Sequence, residues 1–389
     1  MHVLVIPSWY PTTEAPLDGI YFAEQARCLQ AHGLEVGVIY PEHQSLRRLT
    51  PARLRRKHFQ TEWTTDDDVP VLRRYGWNVW WRFPPGVRCR VRNAVRLARR
   101  YVDRRGVPDV IHAHSARWAG AAAARMSDVL GVPYVLTEHF SGFQRSAIRW
   151  GRRSLVEQGV RHAQGLAAVS TALKDALVAE GGAAPGDVAV HPNLVRISFF
   201  TRPSNGRPPR PPFRFVTVAG LNPRKNIAGL IEAFAQAFEA EEAASLTIVG
   251  DGPRRAALEK QARRLGVASQ VAFEGRQDRA GVRDALQAAH AFVLPSRHET
   301  FGVALAEAMA TGLPVVATRC GGPEDFVTEV TGLLVPPEAP VALAEGLRTM
   351  RDREGAYDPA RIRASVVARC GPEPFVRRTQ SFYRRARSA

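Results

Sequence analysis

The chain has 389 residues, more than the roughly 250–300 that one hydrophobic core sustains, so two domains are expected. Hydrophobic residues at 45% and charged residues at 23% are an ordinary globular balance, and no run approaches the roughly 20 apolar residues of a membrane span. The formal net charge of +17 comes from 50 arginines and only four lysines, Lys57, Lys174, Lys225 and Lys260; an anionic partner and arginine-favouring codon bias account for it equally.

The chain enters a strand-like run at Val3–Ile6 without the basic, apolar and small-residue series of a signal peptide, so a cytoplasmic protein is expected. Cys28, Cys89, Cys320 and Cys370 lie far apart with no C-x-x-C pair, which argues against disulfides or a zinc cluster. Apolar runs then alternate with helical periodicity, predicting parallel sheets with helical crossovers. Strands are expected at 3–6, 36–40, 110–113, 134–137, 166–169 and 188–191, and helices near 20–32, 88–105, 116–130, 150–162 and 171–180. The proline-rich stretch TRPSNGRPPRPP, 201–212, reads as a linker. A second cycle places strands at 215–218, 246–249, 271–273, 291–294, 315–317 and 333–335, with helices near 226–239, 253–265, 280–289, 303–311 and 340–350. The closing segment is an amphipathic helix whose Phe375, Phe382 and Tyr383 are expected to pack back onto the first domain. The expected division is 1–200, linker 201–212, 213–370 and a returning helix 371–389. Doubly wound sheets bind ligands at the C-terminal ends of their strands, so two such domains facing a central cleft would share one site.

In HETFGVALAEAMATG, residues 298–312, a buried strand has just ended near Pro295 and a helix is due at Gly302 or Val303, with Thr300 as its cap. The backbone N–H groups of Phe301, Gly302 and Val303 would lack acceptors at the positive helix end, a place for phosphate, and Gly302 would let that backbone approach closely. Glu299 precedes the helix and Glu307 lies inside it, so the carboxylates reach different parts of one extended ligand. A carboxylate accepts both hydrogen bonds of a vicinal diol, the group that sugars and ribose carry. The bland reading is a pair of surface glutamates flanking an ordinary helix.

The segment resembles the E-x7-E signature of the retaining family 4 glycosyltransferases, which have the two-domain GT-B fold. VGDGP, Val249–Pro253, resembles the family's G-x-G-P turn, CGGPEDFV, Cys320–Val327, its glycine pair beside the donor, and VAGLNPRKN, Val218–Asn226, its basic phosphate loop. PSWYPTTEAPLDGIYFAEQA, VIHAH, VLTEHF, AVS and HPNLV follow in the family's order. The resemblance implies that Glu307 binds the nucleotide ribose, that Glu299 meets the hydroxyls of the transferred sugar, and that Lys225 holds the leaving diphosphate, with Gly250 beside the donor. The family carries an arginine where this chain has Gly220, so Arg224 would supply that phosphate contact or it is missing. His139 resembles the family's histidine facing the reacting carbon, and Gly19 its glycine loop, against an ordinary helix-start turn. His112 and His114 read as structural, satisfied by neighbouring backbone. Asn193 matches a turn whose glycine is here Leu194. Asp66–Asp68 could bridge a metal-bound diphosphate, but the run reads as a polar connector, and a donor held by Lys225 and a helix N-terminus has its charge balanced without metal.

The implied activity is a retaining, metal-independent hexosyltransferase with no cofactor, moving a sugar from a UDP- or GDP-linked donor to an acceptor hydroxyl, with Lys225, Glu299 and His139 as its catalytic residues. A lipid-linked or polysaccharide precursor of the cell envelope, or a small molecule, is the expected acceptor, and nucleic acid is not an expected partner. Tyr75–Tyr101 interleaves aromatic residues with arginines and, with RRLTPARLRRK at 47–57, suits an anionic membrane surface, placing the protein peripherally at the inner face of the cytoplasmic membrane. A solvated arginine face is the equal alternative. A nucleotide-sugar epimerase or phosphorylase on the same scaffold is the alternative enzyme. A dinucleotide oxidoreductase would need G-x-G-x-x-G where PSWYPTT stands.

Overall fold

The computed structural model describes residues 1–44, 46, 50–51, 54–55, 58–77, 84–145, 150–238 and 244–388. The chain forms two units, Met1–Leu194 with Glu373–Ala389, and Val195–Pro372.

Among the described residues of the first unit eight strands form one sheet: β1 (His2–Pro7), β2 (Glu35–Gln44), β3 (Thr61–Asp66), β4 (Val69–Trp77), β5 (Val110–His114), β6 (Tyr134–Glu138), β7 (Gly165–Ala168) and β8 (Val188–Val190). Their order is β3-β4-β2-β1-β5-β6-β7-β8, parallel except for the β3–β4 pair. β1 and β5 are buried almost throughout because helices cover both faces, and such strands read as unbroken apolar runs. β3 and β4 escape that pattern. Pro70, Arg73 and Arg74 interrupt the apolar residues, and the expected polar connector is an antiparallel hairpin turning at Asp67 and Asp68. Two of the three aspartates hold the hairpin to its unit: Asp66 accepts from the Tyr10 hydroxyl at 2.8 Å and pairs with Arg27, whose Nε lies 3.1 Å from Asp67. The expected helix over 116–130 begins as a π-helical turn, Ala116–Gly120, before the α-helix Ala121–Leu130.

The second unit holds β9 (Phe213–Val218), β10 (Ala244–Val249), β11 (Val271–Gly275), β12 (Ala291–Leu294), β13 (Val315–Thr318) and β14 (Gly332–Val335), all parallel, in the order β11-β10-β9-β12-β13-β14. The chain passes between units at Leu194–Val195, ahead of the proline-rich stretch. Residues 195–200 belong to the second unit because Arg363, on the helix Pro359–Cys370, donates to the carbonyls of Ile197 (2.7 Å) and Phe200 (2.6 Å). The stretch 201–212 lies on the same unit: the Arg207 guanidinium donates to the Ala289 carbonyl at 2.6 Å and to that of Thr311 at 2.9 Å. The helix Pro372–Ser388 returns to the first unit, burying Phe375, Phe382 and Tyr383 in its core. Each large ring so buried contributes roughly 2–3 kcal/mol.

Candidate functional site

The second unit gathers polar groups where its strands end. After β9 the chain reaches a short 3-10 turn, Pro223–Lys225, where the Asn222 side chain accepts from the Arg224 N–H at 3.1 Å. β10 ends beside it at Val249, and Gly250 follows. The two loops are joined, with Leu221 N–H donating to the Asp251 carbonyl at 3.0 Å and Arg254 N–H to that of Leu221 at 3.2 Å. Gly250 has φ 139°, and a Cβ there would stand 1.9 Å from the Ala219 carbonyl oxygen, so a side chain would push the basic loop away.

The loop after β12 completes this edge. The Arg297 N–H donates to the Arg224 carbonyl at 2.9 Å, tying it to the Pro223–Lys225 turn. Two residues on, Glu299 is only 7% exposed. Its Oε1 accepts from the Lys225 ammonium and from the Ser296 hydroxyl, the latter at 2.8 Å. Its backbone bridges to the glycine pair, donating to the Cys320 carbonyl and accepting from the Gly322 N–H, each at 2.9 Å. A carboxylate this buried is tolerable only because it is paired and hydrogen-bonded. Burial also pushes the Cys320 thiol up to about 12.

The helix Val303–Ala310 starts from Gly302, at φ 88° and ψ 58°, with no side-chain cap, so Thr300 does not play the expected part. A Cβ on Gly302 would meet only ordinary contacts from 3.5 Å, so the left-handed backbone, rather than close approach within the chain, calls for glycine. Among the described residues, the N–H groups of Phe301, Gly302 and Val303 have no acceptor. The Phe301 side chain is buried edge-on against Phe326, ring centroids 4.8 Å apart, so it anchors the loop and only its backbone is available to a ligand. Glu307, 4% exposed, faces a different cation: it pairs with Arg279, whose guanidinium lies 4.9 Å from the Phe200 ring centroid. Glu299 and Glu307 thus belong to separate ion pairs, one before the helix start and one inside the helix. Arg279, which the sequence reading missed, has no local motif; its partner lies 28 residues away.

The first unit carries the other two expected residues. Gly19 begins the helix Ile20–Ala31 with its backbone against the Trp9 carbonyl. The Trp9 indole N–H donates to the Tyr21 hydroxyl at 2.8 Å. Tyr21 and Phe22 in turn lie 5.9 Å and 4.8 Å from the His139 ring, centroid to centroid, so Gly19 and His139 share one cluster. His139 Nε2 and His114 Nδ1 are 3.1 Å apart. Burial pushes the His139 pKa down to about 3, the nearby His112 adding to the shift and the Asn193 side chain opposing it, so the ring is neutral. His112 and His114 are also held well below their ordinary range by burial. His112 is satisfied by side chains rather than by backbone, Nδ1 by the Tyr383 hydroxyl at 2.7 Å and Nε2 by that of Thr137 at 2.9 Å.

Glu138, also missed, positions this cluster. Fully buried, it accepts from the N–H groups of His139 (2.7 Å) and Phe140 (2.6 Å) through one oxygen and of Ala116 (2.7 Å) through the other. Burial raises its pKa while these hydrogen bonds pull it back. An acidic residue directly before the histidine at a strand end was the available signal. Among the described residues no three His, Cys, Asp or Glu side chains are grouped to hold a metal ion, and no helix is long and apolar enough to cross a membrane.

Two Rossmann-like units in one chain are the architecture of the GT-B fold. The model of Glycosyltransferase Family 4 matches residues 19–199, and that of Glycosyl transferases group 1 matches residues 200–363, so the chain belongs to the group 1, family 4 glycosyltransferases. It is 29% identical over 380 residues, 92% of this chain and 91% of the relative, to TuaC of Bacillus subtilis (strain 168), provisionally described as a teichuronic acid biosynthesis glycosyltransferase. Among solved structures, Anabaena Alr3699/HepE, in complex with UDP, superposes with a TM-score of 0.71 at 20% identity over 98% of this chain and 99% of that one. Sucrose-phosphate synthase from Thermosynechococcus elongatus does so with a TM-score of 0.77 at 18% identity over 99% and 98%.

Proposed function

We propose that this glycosyltransferase moves a hexose from a UDP- or GDP-linked donor to an acceptor hydroxyl of a cell-envelope glycan precursor, with retention and without a metal ion. The observation that carries the reading is the Lys225–Glu299 pair beside the N–H groups of Phe301, Gly302 and Val303, which have no acceptor among the described residues. A nucleoside diphosphate is already a good leaving group, so the site has to supply positive potential where charge develops. Lys225 and the helix start supply it. As the bond from the sugar to the diphosphate oxygen breaks, the acceptor oxygen bonds to the same carbon on the same face, and its proton passes to the departing phosphate oxygen. Glu299 takes the sugar hydroxyls and Glu307 the ribose diol, with Arg224 and Gly250 lining the diphosphate. His139, kept neutral by burial, serves as an uncharged hydrogen-bonding group of the first unit. HepE has been solved with UDP and with UDP-glucose, which favours a UDP-linked donor, and the assignment of TuaC to teichuronic acid biosynthesis favours an envelope polysaccharide. The protein would work at the cytoplasmic membrane surface as a peripheral protein. Of the tryptophans that motivate this, Trp80 and Trp81 lie outside the described residues, as do Arg47, Arg48 and Lys57.

Calorimetry with UDP, GDP, ADP and their sugar nucleotides, followed by nucleotide-release assays with glycan acceptors and chelator, tests the proposal. The expected outcome is tight binding of UDP or GDP, chelator-insensitive transfer, and an anomeric configuration kept from donor to product. Binding of no nucleotide, or inversion at the anomeric carbon, would overturn it.

A further inference from the structure

We propose that a groove on the first unit is a docking site for anionic phospholipid headgroups. It lies along the helix Pro84–Arg105, with the helices Ala121–Leu130 and Trp150–Arg161 on its other side, and has a volume of about 490 Å³. Arg88, Arg92, Arg96 and Arg99 line it from the first helix and Arg125 from the second. Its floor is apolar, with Val95, Val129 and Leu155 half-buried.

Composition alone does not explain this grouping. Eight of the 22 residues of the helix Pro84–Arg105 are arginine, and three of the eight serve the fold: Arg90 lies over Trp118, Arg104 over Trp63, and Arg105 pairs with Glu35. Among the described residues no carboxylate pairs with Arg88, Arg92, Arg96 or Arg99; Arg125 meets Asp128 at 3.3 Å on the exposed surface. Like charges three and four residues apart on one helix face repel, and the first turn of this helix carries no acidic residue to suit its dipole. The row therefore works against the helix unless an external anion neutralises it. Guanidinium groups bind phosphate bidentately, and an apolar floor beneath them suits the glycerol and first methylenes of a lipid. No aromatic ring lines the described groove, so it lacks the stacking platform of a single-stranded nucleic acid site.

The inference deepens the membrane part of the proposed function, and its readout needs no nucleotide, so its failure leaves the transferase reading standing. Full-length protein is sedimented with vesicles of phosphatidylcholine alone or mixed with phosphatidylglycerol. Binding is expected only to the anionic vesicles, weakening as salt is raised. The quadruple variant Arg88→Gln, Arg92→Gln, Arg96→Gln, Arg99→Gln should bind at least about tenfold more weakly. A variant removing the same charge from other exposed sites, Arg263→Gln, Arg264→Gln, Arg361→Gln, Arg377→Gln, should bind like the wild type. Equal loss in the two variants would reduce the effect to net charge and overturn the proposal, as would no binding by the wild type. Release of the vesicles by inorganic phosphate at matched concentration, or binding of polyuridylate in place of vesicles, would overturn the lipid assignment.

Discussion

The Lys225 ammonium donates to Glu299 Oε1 across 74 residues of sequence, joining the loop after β9 to the loop after β12. Removing either partner alone strands a charge in a site where Glu299 is nearly buried. Lys225→Ala is therefore expected to lose about 1–3 kcal/mol of stability and at least about 100-fold in kcat/KM. The double variant Lys225→Ala, Glu299→Gln should recover much of the stability and none of the activity. Thermal melts beside nucleotide-release rates separate the two roles. Activity of Lys225→Ala within about threefold of wild type, under roughly 0.7 kcal/mol of transition-state stabilisation, would refute the diphosphate assignment.

Glu307 is assigned to a diol, and a diol can be removed from the ligand as well as the carboxylate from the protein. Wild type should bind UDP or GDP at least about tenfold more tightly than the 2′,3′-dideoxy nucleotide, since hydrogen bonds to a charged group contribute about 1.5–3 kcal/mol. Glu307→Gln should lose most of that preference, as read by calorimetry. An undiminished preference in the variant would place the ribose elsewhere.

The buried histidines predict acid sensitivity of the first unit. His112 and His114 are held well below their ordinary range, His139 at about 3, and His43 and His191 at about 4. Unfolded histidines take up protons as pH falls below about 6.5 while the folded ones stay neutral, so the unfolded chain binds more protons and stability falls with pH. The loss begins at about pH 6.5 and runs down to about 4 for His43 and His191 and to about 3 for His139, at roughly 1.4 kcal/mol per pH unit for each histidine that stays neutral in the fold. Glu138, raised by burial, acts in the opposite direction as a single group. Melting temperature should therefore drop between pH 7 and pH 5; a flat profile there would contradict the burial of these rings.

Gly250 and Gly302 both have positive φ but differ in their surroundings. Gly250→Ala would drive a methyl into the Ala219 carbonyl and should cost more than about 2 kcal/mol while weakening nucleotide binding, because the Lys225 loop has to shift. Gly302→Ala meets no such obstacle and should cost about 1 kcal/mol. Denaturant melts of the two variants test the ranking.

Much of this was legible because parallel strands buried on both faces appear as uninterrupted apolar runs, as Ala291–Leu294 and Val315–Ala317 do. The β3–β4 hairpin was not, since charged and proline residues dilute its alternation. Nor was the helix Pro359–Cys370, which follows the expected end of the second sheet. The glutamates at 299 and 307 were visible through their spacing around a glycine turn. Their cationic partners became known in different ways: Lys225 from its own loop motif, Arg279 only from the folded chain.

The sequence by itself determined the two alternating units, the position of the helix start at Gly302 and the return of the last helix, because each depends on local periodicity or on a residue's own backbone preference. Tertiary structure alone decided that Glu138 binds the backbone at Ala116, that Glu307 pairs with Arg279, and that the proline-rich stretch lies against the second unit through Arg207. These contacts join residues 22, 28 and 82 positions apart. Burial gives them their strength, since an unpaired polar group removed from water is costly, and burial is a property of the assembled fold rather than of any stretch of chain.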